Sequence, residues 1–152
     1  MDTGTKISVF VLVALGGLWY MNHKKQPRGI RNNNPGNIRH GDNWQGMTDI
    51  QTDPAFVQFV TPEYGIRAMT RIFKSYARRG LVTVEQIVST WAPDNENDTE
   101  SYVKHVASVL GLSPDTPVAE HDYPALIAVI IKHENGSQPY SRDTIEAGVM
   151  LA

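Results

Sequence analysis

The chain has 152 residues, of which 41% are hydrophobic and 20% charged, with a formal net charge of −2 and no cysteine. This is enough chain for one domain with a sizeable core. The charge balance argues against a dedicated nucleic-acid binder, and the lack of cysteine excludes a disulfide framework, a thiolate nucleophile and a cysteine metal site.

The first predicted element is the uncharged apolar run ISVFVLVALGGLWYM, Ile7 to Met21, followed by the polar and basic NHKKQPRG. A spanning helix needs about 20 residues. With Thr5 and Asn22 the run is short but workable, and Trp19 and Tyr20 stand where an interfacial aromatic belt forms. It is read as an uncleaved anchor, in preference to a cleaved signal peptide or a buried core helix. Residues 1–22 are thus assigned as a membrane anchor, 23–29 as a linker and 30–152 as the folded domain. The expected location is a single-pass position in a virion membrane or the host cell envelope. Lys24, Lys25 and Arg28 follow the run against Lys6 before it, which in a cell membrane would keep the domain cytoplasmic.

The segment RGIRNNNPGNIRHGDNWQG, 28–46, is dense in Asn and Gly and reads as turns. AFVQFV, 55–60, is a short strand candidate, so this part is expected to hold loops and a small β-hairpin. From Gly65 the pattern is helical. YGIRAMTRIFKSYARRG places Ile66, Met69, Ile72, Phe73 and Tyr76 on one stripe, with Gly80 as a stop. Thr83 with Gln86 forms a capping-box pattern, and Pro93 closes that helix. The next helix caps at Asp98 or Thr99 and stops at Gly111. DYPALIAVIIKHENG has Asp122 near its cap and Pro124 in its first turn. A last short helix, 142–151, caps at Ser141. The predicted fold class is mainly α with a small β-hairpin, α+β.

The helix ending in IIKHENG raises the chemical question. At about 100° per residue, with Glu134 at zero, Ile130 lies at roughly −40°, Ile131 at +60°, Ile127 at +20° and Tyr123 at −20°. Glu134 therefore stands in the middle of the apolar stripe. A carboxyl there is desolvated, and the helix C-terminus disfavours its negative charge; both raise its pKa. A proton donor for a sugar leaving group needs that property. The structural alternative is a Glu paired with an arginine or with backbone donors of the 28–39 segment.

Other candidates carry similar ambiguity. Glu96, in APDNEND, is a solvated loop acid or a second acid and sugar contact. Asn34, Asn37 and Trp44 suit turn geometry, but amides and an indole also bind acetamido groups and pyranose faces. Tyr102 is a core residue at helical spacing or a cleft phenol near Glu134. Glu63, just before a helix, is explained by the helix dipole. Arg67, Arg71, Lys74, Arg78 and Arg79 give the 65–79 helix a basic face, solvated or facing an anionic polymer. His133-Glu134 begins a His-Glu-x-x-His pattern, but position 137 is serine, so no metal site is expected, and no cofactor.

ENG at the end of an apolar helix resembles the Glu-Ser-Gly that ends the catalytic helix of lytic transglycosylases and goose-type lysozymes. NNPGNIR (33–39), NWQG (43–46), FVQFVTPEYGIRAMTRIFKSY (56–76) and WAPDNENDTESYVKHV (91–106) resemble, in order, segments of flagellar-rod-type peptidoglycan glucosaminidases. There the Glu helix comes first; here it comes last, which implies a circularly permuted lysozyme-like domain. The opening RGIRNNNPGNIR also resembles that of lytic structural proteins of bacteriophages. The resemblance covers about 28–150. It implies a phage-type muralytic enzyme cleaving the β-1,4 glycan strand of peptidoglycan, with Glu134 as general acid and base and Tyr102 by the active site. A second carboxylate is not compulsory, because the substrate's acetamido group can act as nucleophile. Transfer to the muramyl 6-hydroxyl makes a lytic transglycosylase, transfer to water a lysozyme. The expected partners are glycan strands, a lipid membrane through 7–21 and other virion proteins, without nucleic acid. The rival readings are a cross-link endopeptidase, a non-catalytic virion protein with this fold, and a DNA-contacting protein using the basic face.

Overall fold

The computed structural model of the chain describes residues 26–93 and 98–152. Within them lie six α-helices: α1 (Arg28–Arg31), α2 (Pro62–Arg78), α3 (Val84–Trp91), α4 (Thr99–Leu110), α5 (Tyr123–Asn135) and α6 (Arg142–Met150). A short 3-10 turn, Glu120–Asp122, leads into α5.

Local chemistry sets most helix ends. Thr61 precedes α2 with Pro62 in its first turn, and Gly80 just beyond α2 takes a left-handed φ of 77°. Thr83 and Gln86 satisfy each other's backbone N–H groups in a capping box at α3. Asp98 accepts from Ser101 N–H at α4, and Ser141 accepts from Thr144 N–H at α6. Gly111 and Gly136 end α4 and α5 in the left-handed region.

The fold is organised around α5. Its Leu126, Ile127, Ile130 and Ile131 are fully buried, and it packs against α1, α2, α4 and α6. Lys132 and His133 are exposed, while Glu134 is half-buried at the edge of the apolar face. Helix α2 contributes Ile66, Met69 and Phe73 to the same core. It lies against α6, where Gly148 permits the approach: a Cβ there would stand 2.5 Å from Ile66 Cγ2.

Two expectations are corrected. The small β-hairpin does not form: the described residues contain only the isolated bridges Arg39–Phe56, Met47–Phe59 and Thr83–Pro117, so the fold there is helical rather than α+β. Along 55–60 the backbone bonds run to Asn32, Ile38, His40, Gly46 and Thr48, scattered over several turns rather than along one strand, and side-chain amides supply others. Asn34 Nδ2–H donates to Val57 O, Gln51 Nε2–H donates to Gln58 O, and Gln58 N–H donates to Gln51 Oε1. With its backbone groups paired to these separate partners, the segment forms no continuous ladder. The single-pass membrane location is likewise corrected: among the described residues no helix is long and apolar enough to cross a membrane. The apolar run 7–21, on which the anchor rested, lies outside the described residues.

The loop segment is held by charge as well as by amides. Asp53 accepts from Arg28 Nε and NH2, both at 2.6 Å, from Asn32 Nδ2 at 2.8 Å, and from the N–H groups of Ala55 and Phe56. The Arg28 guanidinium, with those other donors, holds the Asp53 carboxyl far below the usual carboxylate range. Helix α1 thereby joins the folded unit from Arg28 onward.

Candidate active site

Glu134 lies in the last turn of α5, one residue before Asn135 and two before the left-handed Gly136. The turn-rich segment after α1 folds onto this helix end. Asn135 Nδ2–H donates to Pro35 O at 2.8 Å and to Ile131 O at 3.0 Å, tying loop to helix. Asn33 and Asn37 adopt φ of 51° and 50°, left-handed values that asparagine tolerates better than other side chains. This bend brings Asn37 Nδ2 to 3.5 Å from both Glu134 Oε2 and Glu134 O, long contacts at the limit of a hydrogen bond. From the other side Trp91, at the end of α3, donates its indole N–H to Glu134 Oε1 at 3.1 Å. Trp91 is itself braced against Phe73, ring centroids 5.3 Å apart.

Two clefts meet at this carboxyl, and Glu134 is the residue that lines both. One, of about 430 Å³, is walled by Asn37, Arg39, Phe56, Ile72, Tyr76 and Trp91. The other, of about 570 Å³, is walled by Asp98, Ser101, Tyr102, His105 and His133. Burial pushes the Glu134 carboxyl above its ordinary range, and the Trp91 and Asn37 donors oppose that rise without cancelling it. Asp98, among the described residues the only other carboxylate on either wall, is held below its ordinary range by Ser101. The site thus holds one carboxyl biased toward its proton and one biased toward its charge, the arrangement acid–base chemistry uses.

Tyr102 is buried, and its ring stacks on His133 with centroids 3.9 Å apart. Its hydroxyl has no hydrogen-bond partner among the described residues. Burial, then the nearby Glu134 charge, pushes the phenol well above its usual pKa, so it stays protonated and keeps its O–H free to donate. His105 Nδ1 lies 2.5 Å from His133 Nε2. Partial burial of the ring and the facing His105 lower the His133 pKa.

The predicted residues therefore divide. Glu134, Asn37 and Tyr102 come together at the clefts. Asn34 does not reach them: it is fully buried, its Nδ2 donating to Ile38 O and Val57 O at 2.8 Å each and its Oδ1 accepting from Ile38 N–H at 2.9 Å. Trp44 is half-buried against the core and lines neither cleft. Glu96 lies outside the described residues. Sequence reasoning did not assign Trp91, Arg39, His105 or His133 to the site, and weighed His133 only for a metal pattern. Tyr102 and His105 are three apart on one helix, and His133 adjoins Glu134, so spacing offered a signal for the histidines. Trp91 and Arg39 lie in the segments 91–106 and 33–39 that carry the resemblance, but no local spacing marks them, since each meets the site only through the tertiary fold.

The Trp91 contact is directly testable. Trp91→Phe keeps an aromatic ring against Phe73 and removes the indole donor. That donor favours the ionised carboxyl, so its loss is expected to raise the Glu134 pKa further, as read by NMR titration of the Glu134 side chain. A pKa that stays put or falls would show that the indole contact does not act on the carboxylate.

No family model matches the sequence. Over 126 residues the chain is 44% identical to Protein P5 of Pseudoalteromonas phage PM2, a match that covers 80% of this chain and 79% of that protein. The chain therefore belongs to the family of that phage protein and is bacteriophage-related.

Proposed function

We propose that the chain is a phage-type muralytic enzyme that cleaves the β-1,4 glycan strand of peptidoglycan, with Glu134 as general acid and then general base. The observation that carries this reading is the Glu134 carboxyl itself: half-buried at a helix end, raised in pKa by burial, and set where two clefts meet. A glycan strand laid along both clefts would place its scissile oxygen beside that proton. Asn37, Tyr102 and Trp91 surround the acid with amide, phenol and indole groups suited to a sugar and its acetamido substituents. The resemblance of the IIKHENG helix and the NNPGNIR turn to lysozyme-like enzymes supports the same chemistry. So does the docking of that turn on that helix end through Asn135 and Pro35. The nucleophile is the substrate's acetamido oxygen or a water that Asp98 polarises. Glycan strands are the proposed substrate, and other virion proteins the proposed partners.

The test is clearing of purified sacculi by the full chain, followed by turbidity. Loss of turbidity with release of soluble fragments is expected. Sacculus binding with no soluble product would assign a non-catalytic role in the particle.

A further inference from the structure

Arg39 and Arg28 both lie near the Phe56 ring, their guanidinium carbons 5.1 and 4.6 Å from its centroid. Their circumstances differ. Arg28 is committed in a two-pronged pair with Asp53, at 2.6 Å through both Nε and NH2. Arg39 is exposed, lines the Glu134 cleft, and has no ion-pair partner or side-chain hydrogen bond among the described residues. Among the described residues the one carboxyl on that cleft wall is Glu134, whose burial biases it toward the neutral form. Among the described residues the Arg39 charge at this cleft is therefore unpaired. A guanidinium seated on an aromatic face is partly ordered in advance, and its planar fork fits a carboxylate with two parallel hydrogen bonds. A neutral saccharide has nothing to match that charge.

We propose that Arg39, seated on Phe56 at the wall of the Glu134 cleft, recognises a substrate carboxylate and makes the site selective for anionic cell-wall saccharides over neutral N-acetylglucosamine oligomers. This deepens the glycan-cleaving reading and rests on it for the saccharide nature of the ligand. The carboxylate belongs either to the muramyl lactyl group, where no stem is attached, or to the peptide stem, whose attachment turns the lactyl carboxyl into an amide. Arg39 acts here as a specificity residue; it transfers no proton and forms no covalent bond.

The test is equilibrium binding of the full chain carrying Glu134→Gln, which blocks turnover. Three probes separate the possibilities: a peptide-free muramyl tetrasaccharide, the same tetrasaccharide with its peptide stems, and chitotetraose. At least one acidic probe is expected to bind roughly tenfold tighter than chitotetraose, the scale of a charge-assisted pair. Preference for the peptide-free acid assigns the lactyl group; preference confined to the stem-bearing probe assigns the peptide. Adding Arg39→Ala is expected to abolish the preference while moving the chitotetraose Kd less than about twofold, and Arg39→Lys is expected to retain part of it. Equal loss on all three probes, a preference that survives Arg39→Ala, or no binding of any probe would overturn the inference. Absence of sacculus turnover by the unmodified chain, with the binding preference intact, would refute glycan cleavage and leave the carboxylate site standing.

Discussion

Replacing Glu134 by Gln is expected to abolish sacculus clearing while the fold is kept. Positioned general acid–base catalysis contributes about 10²–10⁴-fold in rate, and the amide has no acidic proton to give. The substitution is nearly isosteric, and its carbonyl oxygen still accepts the Trp91 indole N–H seen at 3.1 Å. The variant also makes a stability prediction with a definite sign. The folded pKa of Glu134 is raised above its ordinary value of 4.5. Its contribution to stability is therefore fully present below that value and is lost as pH rises through the folded pKa, where an ionised carboxyl must stay half-buried. Glutamine does not titrate. Glu134→Gln is accordingly expected to melt above the wild type at neutral pH, with the gap closing as pH falls below about 4.5. Full clearing by the variant would remove Glu134 from the chemistry. A variant that melts lower than wild type at neutral pH would show that the carboxylate is a structural partner instead.

Asn34→Ala is expected to be the most damaging single change in the loop segment. Asn34 is fully buried and makes three hydrogen bonds to backbone groups of Ile38 and Val57. Truncation leaves Val57 O and Ile38 N–H buried without partners, each costing about 1–3 kcal/mol, while Ile38 O keeps the Val57 N–H. A total of about 3 kcal/mol or more lowers Tm by roughly 10 °C for a domain of this size. Asn34→Asp separates hydrogen bonding from packing: it keeps the shape but sets a carboxylate, an acceptor, against two carbonyls. It too is expected to destabilise strongly. A residue that bound sugar would behave in the opposite way, raising KM and leaving Tm unchanged. Thermal melts of both variants, with KM measured well below the transition, distinguish the two roles.

The contrast between Asn34 and Glu134 shows how far the sequence could be read. Helix ends were legible because caps are local. Thr83 with Gln86, Ser141, and the glycines at 80 and 111 act within a few residues of where they stand. The orientation of Glu134 was legible because one angle per residue decides which face it occupies. The region 28–60 was legible as turns but not as a set of partnerships. Its alternating AFVQFV looks like a strand, yet its backbone partners are divided between the Asn34 and Gln51 side chains and backbone groups scattered from Asn32 to Thr48, and such partners leave no periodic trace. The same limit hid Trp91, which meets Glu134 across 43 positions of sequence. Asn34 and Asn37 look alike on paper and differ only in what the folded loop puts beside them: a buried pair of carbonyls for one, a cleft acid for the other.

Glycan cleavage at Glu134 is tested most directly by mass spectrometry of the fragments released from purified sacculi by the full chain and by its Glu134→Gln variant. Release by the wild type of glycan-cleaved muropeptides, ending in anhydro-muramyl groups for a transglycosylase or in reducing sugars for a lysozyme, is predicted, with none from the variant. Fragments cut only in the peptide cross-links, or the same glycan products from Glu134→Gln, would contradict it.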